Sequence, residues 1–192
     1  MPRYNGINHL AMATRDLDAT VRYWRDLLGM RLVVGLGREG YRIYFFEITR
    51  TDMIAFFEWP GVEPLPEKDH GVPVKGPFAF DHISLGVVSH DDLWEVRDKL
   101  EAAGFFVSEP VDHGFIHSIY SHDPNGIPVE FSVAAGREDP RDRPVMADRD
   151  PLATALEGAD PVDGAWPPAR KTPDAERAVY PGEGSEVFDT GD

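Results

Sequence analysis

Four side chains able to hold an ion or move a proton recur at a matched interval: His9 precedes Glu58 by nearly the same distance as His82 precedes Glu130. A lone strand histidine is usually just hydrogen-bonded. Two of them, each followed at one interval by a carboxylate, form a set that can surround a single ion. Imidazole nitrogen and carboxylate oxygen suit Fe(II), Mn(II), Ni(II) or Zn(II), and two His plus one carboxylate leave positions open for a substrate and dioxygen. The sequence has no cysteine, so thiolate ligands, thiol nucleophiles and disulfides are excluded.

These residues need elements that converge, and the chain supplies them twice. Ile7 to Thr14 is apolar and partly alternating, Asp16 is placed to cap a helix, and Val21, Trp24, Leu27 and Leu28 come next at helical spacing. Gly29 stands at the C-terminal cap. Strand-like runs occupy Arg31 to Leu36, Tyr41 to Ile48 and Met53 to Trp59. The order β-α-β-β-β then repeats. It comprises a strand from Phe80 to Val88, a helix from about Asp91 closed by Gly104, and strands at Phe105 to Val107, Phe115 to Ser121 and Ile127 to Val133. Asp123-Pro124-Asn125-Gly126 reads as a tight hairpin turn centred near residue 125, which sets Tyr120 opposite Glu130 on neighbouring strands. Repetition at this period argues for duplicated modules that bury a shared face. The expected fold class is α+β, with two βαβββ modules followed by an irregular C-terminal tail.

The expected domain boundaries are 1–135, with modules at 1–60 and 78–135 joined by a proline-rich linker at 61–77, and a C-terminal extension at 136–192. The extension is rich in Pro, Gly and Asp. It offers a short helix near Asp150 to Glu157 and the large apolar anchors Trp166, Val179, Tyr180 and Phe188. Nineteen basic against thirty-four acidic residues leave a net charge of −15, which repels phosphate backbones and anionic lipid surfaces. Nucleic acid and membrane partners are therefore not expected. No run reaches the roughly 20 apolar residues of a spanning helix, and MPRYNGINHL lacks a secretion signal's apolar core, so the expected location is the cytoplasm.

The first 134 residues resemble the vicinal-oxygen-chelate superfamily, which includes glyoxalase I, bleomycin resistance proteins and type I extradiol dioxygenases. Val111-Asp112-His113, Ile119-Tyr120, Asp123-Pro124, Gly126 and Glu130 are similar to the extradiol signature. The resemblance implies that the modules pair into an open cup-shaped mixed sheet around a metal held by His9, His82 and Glu130. It further implies that Tyr120 contacts a substrate oxygen and that His113 helps stabilise dioxygen. One departure stands out: the further acid–base histidine those enzymes carry on the fourth strand of the first module is missing from TDMIAFFEW (Thr51 to Trp59). His70, in the linker, is the candidate replacement. Glu58 meanwhile occupies the place where the glyoxalase-like branch has its fourth ligand and proton-moving base.

Three functions stand as expectations. The first is an Fe(II)- or Mn(II)-dependent extradiol-type dioxygenase opening a catechol-like ring, with Phe45, Phe56 and Phe115 walling the pocket. The second is a glyoxalase-like Ni(II) or Zn(II) isomerase or lyase using Glu58 and Glu130. The third is a non-catalytic small-molecule binder of the same fold. The expected partners are a small substrate able to chelate through neighbouring oxygens, dioxygen, and a second copy of the chain in a homo-oligomer.

Overall fold

Asp16 leaves the first strand in an extended conformation and caps the first helix, its carboxylate accepting the Ala19 N–H at 2.9 Å. That helix, α1 (Leu17–Val21), then widens into a π-helical turn over Arg22–Leu27. The wider turn lets the adjacent residues Tyr23 and Trp24 both point inward, 2% and 0% exposed. Gly29, at φ 78°, ends the helix in the left-handed region as its position in the sequence requires.

A computed structural model describes residues 7–66, 71–72, 81–136, 139–145, 147, 153, 155–161, 168–182 and 185 of the chain. Strands β1 (His9–Thr14), β2 (Arg31–Arg38), β3 (Tyr41–Glu47) and β4 (Met53–Glu58) form one mixed sheet in the order β1-β4-β3-β2. The second module repeats it. Strands β5 (Ile83–Gly86), β6 (Val111–Asp112), β7 (Ile116–His122) and β8 (Pro128–Ala134) make a second sheet in the order β5-β8-β7-β6, with α2 (His90–Ala102) between β5 and β6. Both sheets are open, and in each the first strand runs parallel to the fourth. The helix α2 starts at a reciprocal box in which Ser89 and Asp92 satisfy each other's backbone N–H groups.

One strand falls elsewhere than the sequence suggested. Phe105 to Val107 forms no strand; Val107 makes an isolated bridge to Ser121, and the sixth strand is the two-residue Val111–Asp112. Phe105 instead turns its ring edge-on to Tyr23 at 4.9 Å, so packing against the first helical segment takes precedence over strand preference there.

The apolar core lies on the helix side of both sheets and runs from one module into the other. It includes Trp24, Phe46, Ile54 and Phe56 from the first module and Leu85, Leu93, Leu100, Ile119, Val129 and Phe131 from the second. Phe56 is fully buried beside Trp24 at 5.7 Å, which makes it core rather than pocket wall. Phe115 is 46% exposed.

Compact units divide the chain into Met1–Arg137 and Glu138–Asp192. Within the second, Ala155–Glu157 and Asp174–Glu176 form single 3-10 turns, and Val179 and Tyr180 are exposed. Trp166, Phe188 and the linker His70 lie outside the described residues.

The turn between β7 and β8 joins the modules. Gly126, at φ 75°, has space for no side chain, since a Cβ there would run into the Leu65 carbonyl oxygen. Gly114 shares the left-handed conformation at φ 87° but faces open space. Gly126→Ala is therefore predicted to cost about 3 kcal/mol or more, and Gly114→Ala only about 1–2 kcal/mol. Urea unfolding midpoints of the two variants test this, and equal losses would refute the role given to the Leu65 contact.

Candidate functional site

The ladders fix which side chains share a face. In the second module Ser84 pairs with Glu130 and Glu130 with Tyr120, so the three stand in one row on the face away from α2. The flanking rows, Leu85-Phe131-Ile119 among them, face the core. The hairpin geometry expected from the Asp123 to Gly126 turn is thus present, with Tyr120 directly opposite Glu130.

Around that row runs a connected polar chain. Asp81 Oδ1 lies 2.6 Å from His82 Nδ1, and His82 Nε2 lies 3.0 Å from Glu130 Oε2. The Tyr120 hydroxyl donates to Glu130 Oε1 at 3.2 Å, and His113 Nε2 lies 2.6 Å from the same hydroxyl. With the Tyr120 proton directed at Glu130, the polarity that fits is His113 N–H donating to the phenol oxygen. Glu130 is 5% exposed and Tyr120 7%.

Burial in this row raises the Tyr120 phenol to about 12, helped by the Glu130 charge and hydrogen bond, so the hydroxyl keeps its proton at neutral pH. Glu130 is pulled both ways. Burial pushes its carboxyl up, but the hydroxyls of Ser118, Ser84 and Tyr120 and the His82 charge outweigh that and hold it below the ordinary range.

The same rows in the first module read differently. Ala11, Ala55 and Phe45 occupy the positions of Ser84, Glu130 and Tyr120. His9 keeps the place of His82: its ring meets Phe45 edge-on at 5.4 Å, as His82 meets Tyr120 at 6.3 Å. So the histidines do correspond, whereas Glu58 and Glu130 do not. Glu58 pairs with Thr14, three positions beyond Ala55 and therefore on the opposite, helix-bearing face. There it accepts the Leu17 N–H at 3.2 Å and pairs with Arg42 at 2.6 Å. The near-equal sequence interval concealed a difference in register.

His9 also stands apart from the other expected ligands. Among the described residues no three of His, Asp and Glu gather closely enough to hold one ion. The physical reason is topological: β1 and β5 are each the outermost strand of their own sheet, so nothing in the ladders draws them together. His9 Nδ1 instead lies 2.9 Å from the Asn8 side-chain oxygen.

For His82 and Glu130 the fit to a divalent metal is good. Two ligand atoms at adjacent positions of an octahedral ion, each about 2.1 Å from it, sit roughly 3 Å apart, which matches the His82–Glu130 separation. Asp81 behind the ring supplies the outer carboxylate that fixes a ligating imidazole. The Ser118 hydroxyl, buried on this face, makes no hydrogen bond of regular geometry, although it lies near enough to Glu130 to draw the carboxyl down. A mostly apolar cleft of about 350 Å³ lies separately along β1, lined by Leu10, Met12, Val62, Leu65, Asn125 and Ile127 among others. None of the residues of the polar chain lines it. Sequence reasoning missed Asp81, Ser84 and Ser118. Asp81 was the one with a usable signal, an acid directly before the candidate ligand.

Known proteins carry the same frame. The model of the Glyoxalase/Bleomycin resistance protein/Dioxygenase superfamily matches residues 6–131. A lactoylglutathione lyase of Haemophilus influenzae is 27% identical over 130 residues, covering 65% of this chain and 90% of that protein. A biphenyl-2,3-diol 1,2-dioxygenase of Paraburkholderia xenovorans is 27% identical over 140 residues, covering 68% of this chain but 41% of that protein. Among solved structures, a glyoxylase/bleomycin resistance protein/dioxygenase domain from Frankia sp. EAN1pec superposes with a TM-score of 0.58 at 20% identity, covering 71% of this chain and 96% of that one. That last likeness concerns the fold.

Glu130 also gives a pH test. Its carboxyl is held low in the folded state, so its contribution to stability is present above the unfolded carboxyl range and is lost as pH falls through the folded value. Wild-type protein is therefore predicted to lose stability between about pH 6 and pH 3 more steeply than Glu130→Gln. Urea midpoints across that range decide it, and parallel curves would refute the assignment.

Proposed function

From the premise that the chain belongs to the glyoxalase, bleomycin resistance protein and dioxygenase superfamily, we propose that it is a metal-dependent dioxygenase of the extradiol type acting on a catechol-like ring. The observation that carries the reading is the Tyr120 hydroxyl, held between Glu130 and His113 beside the His82–Glu130 donor pair. The register of Glu58, which pairs with Thr14 on the other face and bonds Arg42 there, supports this reading over a glyoxalase-like proton transfer between two carboxylates.

In this reading His82 and Glu130 are the metal donors, with Fe(II) the expected ion and Mn(II), Ni(II) or Zn(II) the alternatives; His9, the third donor expected from the sequence, does not join them in a three-ligand cluster. When bound, the ion supplies Lewis acidity toward paired oxygens and a path for electrons to dioxygen. Tyr120 orients the substrate by turning its one hydroxyl proton from Glu130 to a substrate oxygen, a task for which a phenol that stays protonated is suited. His113 holds that phenol in place through its Nε2–H, the proton it can give and then take back. Asp81 keeps the His82 ring oriented.

A second reading, a glyoxalase-like isomerase or lyase, has its own support: the chain matches nearly the whole length of the H. influenzae lyase but about two fifths of the P. xenovorans dioxygenase. One experiment separates them. Protein purified without oxygen and loaded with Fe(II) should consume dioxygen when given a panel of catechols and yield a yellow ring-opened product. Tyr120→Phe should lower that rate about 100-fold or more, while Glu58→Ala should leave metal content unchanged. Isomerisation of a hemithioacetal by the Ni(II) form, with no oxygen uptake from catechols, would overturn the proposal.

A further inference from the structure

On the opposite face of the second sheet, away from Tyr120 and Glu130, two more imidazoles meet. His90 is the first residue of α2, and His117 lies on β7 at the odd-numbered positions that face the helix. Their nitrogens His90 Nε2 and His117 Nδ1 stand 2.8 Å apart, with ring centroids at 5.0 Å and planes inclined by 65°. His117 Nε2 lies 3.6 Å from Asp112 Oδ1, its partner across the β6–β7 ladder. The same Asp112 oxygen accepts the Gly114 N–H at 2.7 Å. His117 is 30% exposed at its side chain, so solvent reaches the pair.

We infer that His90 and His117 form a second transition-metal site, independent of the His82–Glu130 pair and suited to a borderline ion such as Zn(II). The argument is one of ligand type, direction and support. Two neutral imidazoles chelate Zn(II), Ni(II) or Cu(II) in preference to Mg(II) or Ca(II), which favour oxygen. Asp112, whose oxygen at 3.6 Å is beyond hydrogen-bond reach of His117 Nε2, favours by its charge the tautomer that leaves the Nδ1 lone pair facing His90.

On a tetrahedral ion with bonds of about 2.0–2.1 Å the two nitrogens would stand roughly 3.3 Å apart. The rings therefore need to separate by only about half an ångström to admit the ion. Binding replaces one hydrogen bond with two coordinate bonds, and His90 moves its proton to Nδ1. Water fills the remaining positions. Because the ligands come from α2 and β7, the ion would pin the start of the helix to the sheet and stabilise the second module.

The test uses the full chain stripped of metal by chelator and titrated with zinc chloride by calorimetry, with melting temperature recorded in parallel. His90→Gln and His117→Gln are each expected to remove one equivalent of bound Zn(II) and to abolish the part of the zinc-induced rise in melting temperature due to this site. His82→Gln is expected to keep that equivalent, so failure of the catechol reading would not touch this one. Unchanged stoichiometry in both the His90 and His117 variants, or loss of all zinc binding in His82→Gln, would overturn the inference.

Discussion

The structure depends on one buried polar turn. Asp123 and Asn125, 4% and 8% exposed, sit at the tip of the β7–β8 hairpin yet are held inside the first module. Thr14 donates to the Asn125 side-chain oxygen at 2.6 Å, Thr20 donates to Thr14 at 2.9 Å, and Asn125 Nδ2 donates to Asp123 at 2.9 Å. The Asn125 carbonyl takes the Leu65 N–H at 2.9 Å, and the Trp24 indole donates to Asp123 at 3.4 Å. Each such bond is worth only about 1 kcal/mol net, but breaking one leaves a buried group unsatisfied at about 1–3 kcal/mol. Burial raises the Asp123 carboxyl above its ordinary range, against the pull of its hydrogen bonds. Its ionised form is thus the strained one, and its contribution weakens as pH rises through the carboxyl range.

That turn serves the site as well as the fold. The residues that close the hairpin also set its register, and the register is what brings Tyr120 level with Glu130. Had the pairing slipped by one residue, each side chain would have moved to the other face and the Tyr120–Glu130 contact would be lost. The fixed hairpin then lets a strand tyrosine and a strand glutamate act as one hydrogen-bonded unit with His113 and His82. A rigid strand pair holds such a unit more accurately than loops could.

The two modules have divided their chemistry. Corresponding rows carry Ser84, Glu130 and Tyr120 in one and Ala11, Ala55 and Phe45 in the other, while a histidine beside an aromatic ring persists in both. One module is polar on its helix-free face and the other mostly apolar. Such a division suits a site where one wall holds charge and the other excludes water.

Much of this was legible in the residues. The helix stops at Gly29 and Gly104, the Asp16 cap, the repeated β-α-β-β-β order and the Asp123 to Gly126 turn are local signals, each set by backbone geometry within a few positions. The Tyr120–Glu130 pairing came from the turn alone. Register in the first module did not, because a sequence interval between parallel strands includes a helix and two strands whose lengths can compensate. Glu58 therefore looked equivalent to Glu130 and proved to be three positions out and on the other face. The His90–His117 contact and the separation of His9 from its expected partners depend on how sheets and helix meet in space. The sequence by itself determined which elements form and which residues a tight hairpin brings together. Only the tertiary structure decided which distant strands share a row, because that is set by packing summed over the whole core and not by any local run of residues.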